Sequence, residues 1–336
     1  MAQLLGLTIL SLVMTAILII PFIDFLYKLK LRRKNQYTVD PFNKHTPIFD
    51  KYNSWKVGTP FGGGVLIIFV VTALALWSYG IFDVKVAPWE VFSILFAFIS
   101  FGILGLYDDL KKLVNPKSRQ FFGLRFRHKF LIQWMLALII AFVLYSKLHY
   151  TFIFITGFGL ANLGIIYILL AAFVIVSFAN AFNIADGLDG QASGLLLICL
   201  GAFLAISSTQ LDQTLGIFIA ILIGSVGAFL YFNIYKARIW LGDVGSLSLG
   251  AAMAVIGLLT GKIIALAVIG GVFVIEVSSS LIQLLGKRFL GRKILPASPF
   301  HLFLQQKGWE EPKVVMRIWL FGFFFAIVGL YIALNK

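Results

Sequence analysis

Ten apolar runs dominate this sequence, at roughly 4–27, 58–80, 89–107, 130–147, 162–180, 191–208, 214–233, 244–260, 263–285 and 314–334. Each is near the ~20 residues that a helix needs to cross the hydrocarbon layer of a bilayer. Lipid offers the backbone no hydrogen-bond partners, so runs of this length must be helices that satisfy their own peptide groups. The expected fold class is therefore an all-α integral membrane protein of about ten transmembrane helices, with residues 1–336 as one polytopic domain. A soluble domain is excluded: 60% of the residues are hydrophobic and only 12% charged, where about a quarter would be expected in solution. The β-branched and aromatic stretch 151–159 (TFIFITGFG) reads as a short hairpin outside the membrane. No basic segment precedes the first run and no small-residue cleavage site follows it, so it is expected to be an anchor and not a removed signal. The one cysteine, Cys199, lies inside an apolar run, which leaves no internal disulfide and no CxxC metal pattern.

The formal net charge is +14. In a soluble protein that would suggest nucleic acid; here no nucleic acid is expected, because Lys and Arg of cytoplasmic loops face anionic membrane lipids. The basic residues do collect, in 28–34 (KLKLRRK), Lys111-Lys112, Arg125 to Lys129, Lys287-Arg288 and Arg292-Lys293, all at alternate ends of the spans. Only Lys85, Lys147, Lys262 and Lys336 fall on the other side. The positive-inside rule then places both termini outside and the basic loops in the cytoplasm. The chain shows no internal repeat, unlike many transporters.

The scarce acidic residues are more informative. Asp108, Asp109, Asp186, Asp189 and Asp243 all fall at the predicted cytoplasmic ends of spans. Ionisable groups at membrane depth are costly and point to function. Adjacent Asp108 and Asp109 repel and need a proton or a cation between them; Mg²⁺ takes one or two carboxylates plus phosphate oxygens. The plain alternative is a solvated helix end paired with Lys111 and Lys112. In 180–190 (NAFNIADGLDG), Asn180, Asn183, Asp186 and Asp189 recur at three-residue spacing, offering groups suited to ribose, uracil or metal-bound water. Here the alternative is a polar turn that caps two helices. Asp243 stands between Gly242 and Val244-Gly245, with Ser246 placed to cap the following helix, whose N-terminus could face phosphate. Lys56 opens KVGTPFGGG, which is not a P-loop; backbone N–H groups of such a glycine-rich helix start can still bind phosphate, or the stretch is merely a hinge. His301 lies in a basic loop, and no HExxH pattern for zinc hydrolysis exists. Glu276, inside the ninth run, needs a partner or a wet cavity.

Together and in this order, these motifs resemble the polyprenyl-phosphate N-acetylhexosamine-1-phosphate transferase superfamily, over nearly the whole chain. Asp108-Asp109 followed by Lys112 is similar to its DDxxK stretch, Gly123-Leu124 through Arg127, Lys129 and Gln133 to its GLSxRxKxxxQ, and 180–190 to its NxxNxxDGLDG core. Asn233 and Gly242 to Leu247 resemble its FN…MGDxGSL. Lys56 to Pro60 and Lys307-Gly308-Trp309 are most like the phospho-N-acetylmuramoyl-pentapeptide transferase branch. The chain departs from the family pattern at His301-Leu302-Phe303 (three histidines in the family), Asn53 (His), Lys236 (Pro), and Leu241 (Met) after Trp240.

The resemblance implies transfer of phospho-MurNAc-pentapeptide from UDP-MurNAc-pentapeptide to undecaprenyl phosphate, giving lipid I and UMP, in a bacterial cytoplasmic membrane with a cytoplasmic-face active-site cleft. It implies Mg²⁺ held by Asp243 with Asp108 or Asp109, one of that pair serving as base. Lys56, Lys112 and Lys129 would meet phosphates. Asn180, Asn183, Asp186, Asp189 and Asn233 would surround nucleotide and metal, Trp240 would stack on uracil, and His301 would act near the pyrophosphate. Family members often dimerise, which makes a homodimer an expectation. The rival readings are transfer of GlcNAc-1-phosphate for surface polysaccharide, a transporter with carboxylates at mid-membrane, and a non-catalytic scaffold.

Overall fold

The computed structural model describes residues 1–32, 45–81, 86–114, 124, 126–155 and 157–335. Arg33, Lys34, Lys85, Gly123, Arg125 and Lys336, named above, lie outside the described residues. The chain runs through α1 (Ala2–Lys28), α2 (Pro47–Asn53), α3 (Gly63–Ile81), α4 (Pro88–Val114), α5 (Phe126–Ser146), the strands β1 (Phe152–Ile155) and β2 (Gly159–Asn162), then α6 (Ile166–Ala185), α7 (Gln191–Gln210), α8 (Gln213–Asn233), α9 (Gly242–Leu259), α10 (Ile263–Ile269), α11 (Gly271–Phe289), α12 (Phe300–Gln306) and α13 (Glu311–Leu334). Among these, nine helices are long and apolar enough to cross a membrane, which makes this an all-α integral membrane protein. The hairpin is antiparallel, pairing Phe152 with Asn162 and Ile155 with Gly159, so its second strand runs past Gly159 to Asn162, the first residue counted in the fifth span.

The ninth apolar run is not one straight helix. It breaks at Gly270, and α10 and α11 differ in direction by 78°. A Cβ on Gly270 would meet the ring of Phe178 in α6 at 2.5 Å, so the corner is pressed into a neighbour that leaves no room for a side chain. Glu276 therefore does not sit in the middle of a straight span. It lies on the second arm, fully buried and bonded to Gln191 and His301.

At the centre stands α9, with almost every residue buried, against α3, α4 and α6. The approach is close enough that only glycine fits. A Cβ on Gly64 of α3 would lie 2.2 Å from Gly245 Cα, and one on Gly105 of α4 would lie 2.1 Å from the carbonyl oxygen of Asp243. Small residues serve such contacts in membranes, where lipid tails supply no hydrophobic force between helices. Hydroxyls join α1 to α8 in the same setting: Thr15 Oγ1 donates to Ser225 Oγ at 2.9 Å and Ser11 Oγ to the Ile221 carbonyl at 2.7 Å.

Both termini lie at one end of the bundle. Met1 touches Ser208 near the end of α7, and Gly329 of α13 packs on Ile269 of α10. The hairpin is there too, with Lys262 3.7 Å above the ring of Phe154. The opposite end gathers the acidic motifs.

The α3–α9 contact gives a direct test. Gly64→Ala places a methyl group in backbone it cannot displace, and overpacking of this kind typically costs about 1–3 kcal/mol. Thermal unfolding in detergent should show a clear drop in midpoint, while Gly80→Ala on the same helix, where nothing lies within 4 Å, should leave it unchanged.

Candidate active site

Three carboxylates and two ammonium groups meet where α4, α5 and α9 converge. Lys112 Nζ lies 3.3 Å from Asp108 Oδ2, 3.3 Å from Asp109 Oδ1 and 3.0 Å from Asp243 Oδ2. Lys129 Nζ lies 3.1 Å from Asp108 Oδ2 and 2.5 Å from Asp243 Oδ2. Asp108 and Asp109 are buried, and their repulsion is offset by Lys112, which reaches both, and by Lys129, which reaches Asp108. The remaining oxygens accept from backbone: Asp108 Oδ1 from Leu124 N, and Asp109 Oδ2 from Val244 N at 3.2 Å. The N-terminal turn of α9, expected to face phosphate, is thus engaged by Asp109. Ser246 does not cap that helix either, because α9 begins at Gly242; its hydroxyl instead accepts from Asn183 Nδ2 at 2.6 Å, and the same amide lies 3.3 Å from Asp243 Oδ1.

A cavity of about 210 Å³ opens beside this cluster. Asp109, Lys112 and Asp243 line one end, Asn183 and Asp186 the middle, and Lys56, Asp189, Asn233 and Trp240 the other end together with Phe61 and Asn53. Asp186 follows the last residue of α6, and no hydrogen bond or ion pair reaches its carboxyl among the described residues. Burial, then the negative charge of Asp243, holds that carboxyl well above the ordinary carboxylate range.

The far end is organised by a buried charge network. Asp189 Oδ1 lies 3.2 Å from Lys56 Nζ and accepts from Trp240 Nε1 at 3.2 Å; Oδ2 accepts from Ala237 N at 2.9 Å. Lys56 is almost wholly buried, and its ammonium also meets Glu311 Oε1 at 2.7 Å and the Gly187 carbonyl at 3.3 Å. It is therefore held by protein carboxylates, where the sequence suggested a free charge for phosphate. The glycine-rich start of α3 differs from expectation in the same way. Gly62 and Gly63 N–H groups donate to the Trp240 carbonyl, and Gly64 N–H to that of Leu241, so this stretch fastens the Trp240 loop and leaves no open N–H cradle.

Some residues singled out by sequence stand behind the cavity. Asn180 joins α6 to α5 through Gln133 Oε1 at 2.7 Å. Asn233 is at the cavity wall, but its amide is committed to the Ile239 carbonyl at 3.0 Å and to Ser193 Oγ at 2.7 Å, which pins the 234–239 loop. His301 is buried against the turn that follows α6: a Cβ on Gly187 would lie 2.5 Å from its Nε2. Its Nδ1 is 3.1 Å from Glu276 Oε2, and Gln191 Nε2 donates to the other Glu276 oxygen at 3.0 Å. Glu311 was not singled out by sequence; an acidic residue next to a proline at a helix start reads only as a helix-end charge.

The fold and this cavity define a membrane protein of many helices with a buried carboxylate–lysine site at the bundle end opposite its termini. The family model described as Glycosyl transferase family 4 matches residues 91–261, from α4 to the turn after α9. Proteins of Geobacillus sp. (strain WCH70), Geobacillus thermodenitrificans and Bacillus subtilis, each named phospho-N-acetylmuramoyl-pentapeptide-transferase, are 37%, 35% and 37% identical to this chain. The alignments cover 96%, 96% and 84% of this chain and 96%, 95% and 86% of those proteins. The chain belongs to glycosyl transferase family 4, among the phospho-N-acetylmuramoyl-pentapeptide-transferases.

Asn233→Ala removes the bond that pins the loop at Ile239 and the bond that joins α8 to Ser193 of α7, and leaves buried groups unpaired, at about 1–3 kcal/mol each. The midpoint of thermal unfolding in detergent should fall, and limited proteolysis should cut faster within 234–239.

Proposed function

We propose that this protein transfers phospho-MurNAc-pentapeptide from UDP-MurNAc-pentapeptide to undecaprenyl phosphate, releasing UMP and leaving lipid I. In this reaction the P–O bond between the two donor phosphates breaks, UMP departs with the bridging oxygen, and an oxygen of the lipid phosphate becomes bonded to the phosphorus that carries the sugar. Phosphoryl transfer needs positioning and charge neutralisation more than covalent help. The observation that carries the reading is the convergence of Asp108, Asp109 and Asp243 on one cation position, now taken by Lys112 Nζ. The names and coverage of the relatives support the choice of donor and acceptor.

That donor set suits Mg²⁺. It consists of hard carboxylate oxygens around the position that Lys112 Nζ takes. A magnesium site completed by substrate phosphates has this composition. Asp243, with Asp108 or Asp109, would hold the ion. When bound, it would supply positive charge to the donor pyrophosphate. Lys112 and Lys129, released from full commitment to the carboxylates, would meet phosphate oxygens. One of Asp108 and Asp109 would take the proton of the lipid phosphate. At the other end, an indole face and the ring of Phe61 offer a planar base stacking, and Asn53 lines the same wall. The reading places the cavity on the cytoplasmic side, where Arg288, Arg292 and Lys293, exposed near the end of α11, accord with the positive-inside rule.

The purified protein, given polyprenyl phosphate, Mg²⁺ and either UDP-MurNAc-pentapeptide or UDP-GlcNAc, should release UMP from the muramoyl donor. Release from UDP-GlcNAc alone, or from neither, would sink the proposal. Chelation with EDTA should stop turnover and added Mg²⁺ restore it. Asp243→Ala should remain folded in detergent and lose at least about 100-fold in rate; near-normal turnover in that variant would contradict the role given to Asp243.

A further inference from the structure

Glu311 is a buried carboxylate at the first turn of α13, outside the segment matched by the family model and far along the chain from every acidic motif at the site. One of its oxygens does two things. Oε1 lies 2.7 Å from Lys56 Nζ and accepts from the backbone N–H of Asp189 at 2.8 Å. Both residues line the cavity at its Trp240 end. Asp189 in turn holds the Trp240 indole N–H and the Ala237 N–H. A chain of direct contacts therefore runs from α13 through Glu311 to Asp189 and on to the aromatic wall of the cavity.

We propose that Glu311 is a positioning residue for the nucleotide end of the cavity: it fixes Lys56 and the Asp189 turn so that Trp240 and Asp189 present one pre-formed surface to the base and ribose. This rests on the proposed use of a uridine donor. The charge balance explains why a carboxylate is required. Lys56 is buried with two acidic partners; without Glu311 it turns wholly on Asp189, competing with Trp240 Nε1 for the oxygen that both already share. Without the same oxygen, the buried N–H of Asp189 loses its acceptor, and a buried donor left unpaired drives the local backbone to rearrange. The carboxylate–lysine cluster around Asp243 makes no contact with Glu311, so the phosphate end keeps its geometry.

The test separates the two ends. Glu311→Gln keeps an oxygen for the Asp189 N–H and loses the charge facing Lys56, whereas Glu311→Ala loses both. UMP binding is measured by calorimetry on the full-length protein in detergent, beside donor KM, kcat and the unfolding midpoint. Glu311→Ala should weaken UMP binding and raise donor KM by about tenfold or more, as expected for one charge-assisted contact. Glu311→Gln should recover part of that loss, and kcat at saturating donor should change less than KM. Should Glu311→Ala not fold, the comparison rests on Glu311→Gln and Lys56→Gln, singly and together: non-additive effects on UMP affinity support the proposal and additive ones overturn it. Wild-type UMP affinity and donor KM in a folded Glu311→Ala protein would overturn it, as would equal losses in KM and kcat for both variants. A wild-type protein that binds no UMP would overturn the uridine reading itself and this proposal with it.

Discussion

The contact of α9 with α3 and α4 at backbone distance is the constraint on which the rest depends. Gly64 against Gly245 and Gly105 against the Asp243 carbonyl bring three helices closer than any side chain would allow. That closeness carries Asp243 to within reach of ammonium groups that also serve Asp108 and Asp109. It also lets Asp109 close the N-terminus of α9 through Val244 N. A side chain at either glycine would not merely loosen the bundle; it would move one carboxylate of three away from the common cation.

Charge at this end of the molecule is paired twice over, in two separate groups. Around Asp243, three carboxylates share Lys112 and Lys129. Around Lys56, one cation is shared by Asp189 and Glu311. Between them lies Asp186, whose carboxyl no hydrogen bond or ion pair reaches among the described residues and which burial holds above the usual range. The first group carries an excess of negative charge that a divalent cation and phosphates would rearrange. The second also has one carboxylate in excess, but it is fixed by backbone hydrogen bonds from Ala237 and to Gly187, which suits recognition more than chemistry.

Much of this was legible in the sequence because membrane helices announce themselves by length and hydropathy, and because carboxylates at membrane depth are too costly to be incidental. The spans, the hairpin after α5 and the meeting of Asp108, Asp109 and Asp243 all follow from that. What stayed hidden depends on neighbours distant in sequence. The break at Gly270 is set by the ring of Phe178, while glycines in membrane runs are common and carry no such signal alone. Lys56 looked like a phosphate ligand because its partner Glu311 lies 255 positions away. The glycines after Pro60 looked like an anion cradle, whereas their N–H groups are taken by Trp240 and Leu241 carbonyls that local pattern cannot place.

Lys112 sits three and four positions after Asp109 and Asp108 on the same helix, and it pairs with both. α4 therefore carries its own counter-ion when it leaves the ribosome and enters the bilayer, so its acidic end need not wait for another segment. Asp243 has no such companion on α9. Its two lysines belong to α4 and α5, which are synthesised before it. The order of helices along the chain thus means that the most exposed electrostatic debt of biogenesis, a carboxylate arriving at membrane depth on a helix without a cation, meets partners already in place.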